Sequence, residues 1–107
     1  MTDKEIKKEI DSITSQIVEK YKPLKIILFG SAARGKFTED SDLDFFVVKK
    51  DVPYLGRDRY RELSRLIERD VAVDFVIYTP EEYLKWAGRG DPFLTTIDEE
   101  GKLLYET

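Results

Sequence analysis

Three aspartates of this chain have the types and spacing of a metal-dependent site. Asp42 and Asp44 are two residues apart in SDLDFFVV, so on a strand their carboxylates project to the same face. Asp74 stands inside a second apolar run, VAVDFVIY, with no cation beside it in sequence. Converging carboxylates repel one another unless a cation lies between them, and oxygen ligands suit Mg²⁺ or Mn²⁺. We therefore predict that these aspartates are metal ligands; the structural alternative is a strand cap at Asp42, with Lys or Arg partners for the others.

A small-residue turn upstream of the aspartates suits phosphate binding. Gly30 and Ser31 follow the apolar run LKIILF and precede a short helical segment, where backbone N–H groups and a hydroxyl bind anions. Gly30 permits close approach of the backbone, and Arg34, one turn on, can contact a phosphate with two hydrogen bonds. The alternative is an ordinary strand-to-helix turn with Ser31 as its N-cap.

Composition narrows the possible chemistry. With 107 residues, 41% of them hydrophobic, the chain is expected to form one domain over residues 1–107. It has no cysteine and no histidine, so proton transfer falls to carboxylates, Lys, Tyr or a metal-bound water. A net charge of -4 argues against stable binding of nucleic acid. No apolar run approaches a membrane span, and we expect a cytoplasmic protein.

Hydrophobic periodicity and turn residues predict an α+β fold in the order α-β-α-β-α-β-α-α-β. Strands two and three are joined by one helix, so we expect them in one sheet, with Asp74 beside Asp42 and Asp44. The capping spacings are Thr2 with Glu5 and Thr79 with Glu82. The predicted elements are helix 2–21, strand 24–29, a short helix within 30–34, strand 43–48, helix 57–69, strand 71–78, a helix from 80 to about 88, a further helical turn over 91–97, and a short C-terminal strand.

The remaining patterns are predicted to be structural. The first helix carries an apolar stripe that should pack on its own sheet, with a homo-oligomer seam as the alternative. Trp86, with Tyr83, is expected in the core, with a partner contact as the alternative. The apolar face of the third helix is predicted to comprise Tyr60, Leu63, Leu66 and Ile67. Its basic stripe is predicted to be a solvated face paired with Asp58, Glu62 and Glu68, rather than a docking surface; it comprises Arg57, Arg61, Arg65 and Arg69.

The combined pattern of FGS, ten residues, DLD and a later VDF resembles the nucleotidyltransferase superfamily of DNA polymerase β. The forms GSAARG and SDLD look most like the minimal nucleotidyltransferases. This resemblance implies a mixed sheet flanked by helices, with Gly30 and Ser31 holding the triphosphate of ATP and Arg34 balancing its charge. It further implies two Mg²⁺ ions, both bound by Asp42 and Asp44, with Asp74 completing the ion on the nucleophile side.

The same resemblance implies a partner. Minimal nucleotidyltransferases are commonly paired, as antitoxins, with a small helical HEPN toxin, and transfer AMP to a tyrosine of that toxin. Two other hypotheses remain open. The chain could neutralise a toxin by binding alone, or it could transfer a nucleotide to RNA or to a small molecule.

Overall fold

A four-stranded mixed sheet organises the chain, and five helices flank it. The computed structural model describes all residues, 1–107. The order of elements is the predicted one, which confirms the predicted fold class. The bounds are α1 Asp3–Tyr21, β1 Lys25–Phe29, α2 Gly30–Ala33, β2 Leu43–Val48, α3 Gly56–Ser64, β3 Val73–Tyr78, α4 Pro80–Gly88, α5 Pro92–Glu100 and β4 Lys102–Glu106.

The strands lie in the order β3-β2-β1-β4. The β2 and β3 strands are parallel neighbours joined by α3, because a parallel pair needs a crossover connection. The other two pairs, β1 with β2 and β1 with β4, are antiparallel. The prediction that strands two and three share a sheet is therefore confirmed.

Each face of the sheet buries its own apolar cluster. The larger cluster joins α1 and α3 to one face, and it includes Ile13, Ile17, Phe45, Leu63 and Phe75. The predicted α1 stripe therefore packs on its own sheet. The smaller cluster joins α5 to the opposite face, and it consists of Ile27, Phe46, Val48, Leu94 and Ile97. Because strand residues alternate between faces, residues 44, 46 and 48 of β2 project toward the smaller cluster.

Side-chain caps set three helix starts. Thr2 and Glu5 form a reciprocal capping box at α1, as predicted. Thr79 and Glu82 form the same motif at α4, also as predicted. The carboxylate of Asp91 accepts a hydrogen bond from the N–H of Leu94 at the start of α5. None of the five helices has the length and apolarity that a membrane crossing requires.

The predicted extension of α3 to residue 69 is wrong, since α3 ends at Ser64. The Arg69 guanidinium folds back onto the end of the helix, where it donates to the carbonyl oxygens of Ser64 and Ile67 and to the Ser64 hydroxyl. These bonds satisfy carbonyl groups that a continued helix would have used. The prediction that Leu66 belongs to the apolar face of this helix is also wrong, since Leu66 is 37% exposed whereas Leu63 is fully buried.

An arginine that the sequence pattern did not single out organises the free edge of β3. Arg59 is 7% exposed, and its guanidinium forms a bidentate pair with Glu82, at 2.7 and 3.1 Å. It also donates to the carbonyl oxygen of Ile77. The neighbouring Tyr60 hydroxyl donates to the carbonyl oxygen of Val73. These contacts satisfy carbonyl groups of an edge strand that would otherwise be open to pairing with another chain.

The prediction that Trp86 of α4 lies in the core is wrong. Trp86 is 40% exposed rather than in the core, and α4 has no buried residue. Two cations instead lie close to the indole ring, with Lys85 Nζ 5.4 Å and the Arg89 guanidinium 5.5 Å from the ring centroid. On α3, the predicted ion pairs of the basic stripe do not form, although three of its arginines are solvent-exposed, namely Arg57, Arg61 and Arg65.

Candidate active site

Two of the predicted aspartates are direct neighbours in the sheet. Asp44 of β2 and Asp74 of β3 are register partners, so both side chains project to the face that α5 packs on. Asp42 precedes Asp44 by two residues and lies just before the start of β2. Because Asp42 is outside the strand, strand alternation does not fix the direction of its side chain, but its charge is close enough to raise the pKa of the Asp44 carboxyl. The topology thus brings Asp44 and Asp74 together on one sheet face, with Asp42 directly before the start of β2.

The turn after β1 is built against the Asp44 carboxylate. Gly30 has a φ of +75°, and a Cβ added there would collide with the Oδ2 atom of Asp44. A side chain at position 30 would therefore be strained by its backbone and would also displace the carboxylate. Phe29, the register partner of Asp44 on β1, supplies no side-chain cap to α2. The first N–H groups of α2 thus have no side-chain partner.

The charges at this site are only partly compensated. Burial raises the pKa of the Asp44 carboxyl, and the nearby carboxylates of Asp74 and Asp42 raise it further. The positive charge of Arg34 acts in the opposite direction and lowers the pKa of Asp44. Neither Asp44 nor Asp74 forms an ion pair with a Lys or Arg side chain, so the structural alternative for these two residues is not realised.

The donor set fits a divalent cation. A half-buried carboxylate crowded by two others is the situation that a bound cation relieves, and three carboxylates offer the oxygen ligands that Mg²⁺ prefers. No three carboxylates of the chain are already gathered into a ready-made metal cluster. Asp42 and Asp74 are both exposed, and an exposed side chain can change rotamer as a ligand arrives.

The two flanks of the aspartates differ in chemistry, a difference that the sequence pattern did not reveal. On the N-terminal side of β2 lies a cavity of about 390 Å³, whose acidic lining residues are Glu39, Asp40, Asp42 and Asp70. On the other side, aromatic rings cover the sheet face below Asp44. Phe93 of α5 stands edge-to-face on Phe29, with the ring centroids 5.6 Å apart, and lies 6.1 Å from Phe46. A larger cavity, about 450 Å³, lies between α1 and β4 and contains none of the three aspartates.

Comparison with known proteins decides the family. Residues 6–105, which make up nearly the whole chain, match the nucleotidyltransferase domain family. The chain belongs to this family. The prediction from the FGS, DLD and VDF pattern is thereby confirmed, and the chain is a nucleotidyltransferase.

Three relatives show how far the similarity extends. A Methanocaldococcus jannaschii protein named "Putative protein adenylyltransferase" is 34% identical over 96% of this nucleotidyltransferase and 97% of its own length. A nucleotidyltransferase structure from Sulfolobus solfataricus has the same fold, with a TM-score of 0.66 at 21% identity, over 97% of this chain and 83% of that one. A mutant of the toxin-antitoxin MntA-HpeT has a TM-score of 0.58 at 26% identity, over 92% of this chain and 72% of that one.

Proposed function

We propose that this nucleotidyltransferase transfers AMP from ATP to a hydroxyl group of a toxin protein and thereby acts as its antitoxin. The observation that carries the proposal is the pairing of Asp44 with Asp74 in the sheet, beside a glycine turn packed on the Asp44 carboxylate. The adenylyl group and the protein acceptor are supported by the name of the M. jannaschii relative. The toxin is supported by the similarity to the MntA-HpeT toxin-antitoxin.

In this proposal the glycine turn binds the triphosphate. The N–H groups at the start of α2, which lack a side-chain cap, donate to phosphate oxygens together with the Ser31 hydroxyl. Because Gly30 has no side chain, the phosphates can approach the backbone next to the Asp44 carboxylate. Arg34 offsets the negative charge of the phosphates. The result is a nucleotide held with its α-phosphorus in front of the aspartates.

The aspartates would hold Mg²⁺, in two ions, or Mn²⁺ in its place. When bound, such ions supply positive charge to the phosphates and make a nearby hydroxyl easier to deprotonate. The acceptor oxygen forms a bond to the α-phosphorus while the bond to pyrophosphate breaks. Asp74, the exposed member of the strand pair, takes the proton from the acceptor hydroxyl, in a chain that has no histidine to do so.

The acceptor is proposed to be a tyrosine of a small helical HEPN-type toxin, encountered in the cytoplasm. A tyrosine hydroxyl can become a phosphate diester without any other change in the protein. Because the modification adds a bulky charged group, it can inactivate a toxin whose working surface includes that tyrosine.

The test is transfer of label in a lysate of the source cells. Purified protein, Mg²⁺ and ATP labelled at the α-phosphate are added, and the labelled macromolecule is identified. We expect label on one small protein, and none with the double variant Asp42→Asn/Asp44→Asn. The matched control is Asp11→Asn/Asp51→Asn, which removes the same charge from exposed positions elsewhere and should label normally.

Three other outcomes would contradict parts of the proposal. Label on RNA or on a small molecule, with none on protein, would replace the acceptor class. Equal label with the active-site double variant would refute the assigned site. If that variant still bound the toxin and protected cells from it, neutralisation by contact alone would be the correct function.

A further inference from the structure

An aromatic surface adjoins the aspartates on the α5 side. Phe29 is the cross-strand neighbour of Asp44, and Phe46 is the next residue of β2 on the same face. Phe93, from the first turn of α5, packs on both of these rings and also lies 6.3 Å from the ring of Tyr78. We call Phe29 and Phe93 the aromatic wall.

The aromatic wall is accessible to a ligand. Phe46 beneath it is fully buried, whereas Phe29 and Phe93 are both only partly buried. The wall therefore presents ring surface to solvent within one residue of the proposed phosphate-binding turn. The buried part of the smaller cluster is formed by other residues, among them Leu94 and Ile97 of α5, and Phe29 and Phe93 pack against it while remaining partly exposed.

The two flanks of the site differ in charge, and this difference indicates where each part of ATP binds. The flank beyond Asp42 has four carboxylates in its lining, which repel a triphosphate, and a single aromatic ring, Phe37. The aromatic wall carries no charge and offers flat π surface, on which bases of any type can stack. A nucleotide whose phosphates lie at Gly30 and Ser31 thus gains most by directing its base toward α5.

We propose that Phe93, supported by Phe29, stacks on the adenine ring of ATP and so determines how the nucleotide lies in the site. This inference rests on the proposed function, because it takes the triphosphate to be bound at the glycine turn. It adds a base-binding surface contributed by α5, an element outside the pattern of glycine, serine and aspartates. The acidic flank is left free for the acceptor.

The experiment compares equilibrium binding of two probes in the presence of Mg²⁺. The probes are ATP and inorganic tripolyphosphate, which has no base. In the variant Phe93→Leu, we expect ATP to bind about tenfold more weakly, as loss of one stacking contact predicts, with tripolyphosphate unchanged. The variant Phe93→Tyr keeps the ring and should bind ATP as the wild type does.

The matched control is Phe37→Leu. Phe37 is also a partly buried ring near the site, but it lines the acidic flank. Its replacement should leave ATP binding unchanged. Melting temperatures of all variants establish that each is folded at the temperature of the binding measurement.

Several results would overturn the inference. Wild-type ATP affinity in Phe93→Leu, or an equal loss of ATP and tripolyphosphate, would exclude specific stacking. Equal loss of ATP affinity in Phe37→Leu would place the base on the other flank. If the wild-type protein bound tripolyphosphate as tightly as ATP, the stacking inference alone would be refuted. If it bound neither probe, the proposed function would be refuted too.

Discussion

Strand β3 has a charged cluster near each end. The charges are paired with opposite charges in one cluster and are left unpaired in the other. Near its C-terminal end, Arg59 is buried with Glu82 as a bidentate partner, and backbone carbonyl groups take its other N–H groups. Near its N-terminal end, Asp74 lies beside Asp44, and neither carboxylate has an ion-pair partner. One cluster is electrostatically complete, while the other holds like charges together.

The pKa shifts follow this difference. The Arg59 hydrogen bonds lower the pKa of Glu82, which marks a carboxylate stabilised in its charged form. Burial and neighbouring carboxylates raise the pKa of Asp44, which marks one destabilised in its charged form. A cluster that stabilises the fold satisfies its own charges. A cluster that is costly to the fold is retained for what it binds, and we infer that Asp44 belongs to this second kind.

The largest expected effect is at Asp44. Asp44→Asn should reduce transfer roughly a thousandfold, because binding of the metal supplies several kcal/mol of charge stabilisation in the transition state. The same change should leave the free energy of unfolding unchanged or slightly higher. Since the folded pKa of Asp44 is raised, its carboxylate costs stability once the pH exceeds that pKa. Transfer assays and urea unfolding at pH 7 measure the two quantities; a marked loss of stability would contradict the comparison.

The next largest effect is at Arg59. Arg59→Met should lower the free energy of unfolding by about 3 kcal/mol, since it leaves Glu82 and several carbonyl groups without their partner. Arg57→Met is the control, because Arg57 is exposed on the same helix and its loss should cost less than about 0.5 kcal/mol. Activity per folded molecule should be unchanged in both variants.

The Arg59–Glu82 pair also predicts a pH dependence. The folded pKa of Glu82 is lowered from 4.5, so its contribution to stability is present above that value and is lost as the pH falls through the folded pKa. The Arg59→Met variant should lose less stability than the wild type over this acid range. An identical acid decline in both proteins would show that the pair contributes little.

A smaller effect is expected at Gly30, where the backbone and the active site meet. Gly30→Ala should cost about 1 kcal/mol of stability through its positive φ and should also reduce transfer, because the new methyl group displaces the Asp44 carboxylate. Gly90→Ala is the matched control: φ is +70°, but no atom lies within 4 Å of the added Cβ. Both variants should lose similar stability, and only Gly30→Ala should lose activity. Equal activities would show that the Asp44 position does not depend on the turn.

The sequence predicted the parts of this protein that follow from local patterns. Apolar periodicity and turn residues predicted the order of the helices and strands, and capping spacings predicted the starts of α1 and α4. The apolar runs around Asp44 and Asp74, joined by one helix, predicted that these two aspartates lie side by side in one sheet. These features depend on residues close in sequence, or on one short crossover, so the pattern alone carries them.

Long-range contacts account for what the sequence pattern missed. The sequence pattern did not single out Arg59, because its partners on β3 and α4 are distant in sequence. At the end of α3, Arg69 folds back onto the Ser64 carbonyl group, a contact that periodicity cannot show. The residue type of Trp86 predicts a core position, yet α4 lies at the surface and two cations lie close to the ring. The aromatic wall arises only when α5 packs beside Asp44.

The smallest expected effect is at Tyr21, and measuring it tests whether a buried polar group without a hydrogen-bond partner must be functional. Tyr21 is 5% exposed, its hydroxyl has no hydrogen-bond partner, and burial raises its pKa to about 12. Unlike Asp44, this group lies beneath Lys49, near the C-terminal end of β2, far from the aspartates. Tyr21→Phe should therefore keep full activity and raise the free energy of unfolding by up to about 1 kcal/mol.

The pH dependence and a second tyrosine sharpen this prediction. Because the folded pKa lies above the usual 10.0, the Tyr21 hydroxyl costs additional stability as the pH rises past 10, so the advantage of Tyr21→Phe should widen there. Tyr60→Phe is the control, since the Tyr60 hydroxyl donates to β3, and its removal should lower stability by about 0.5 kcal/mol. If Tyr21→Phe lost transfer activity while folded, an unsatisfied buried group would again mark function, and Tyr21 would join the site.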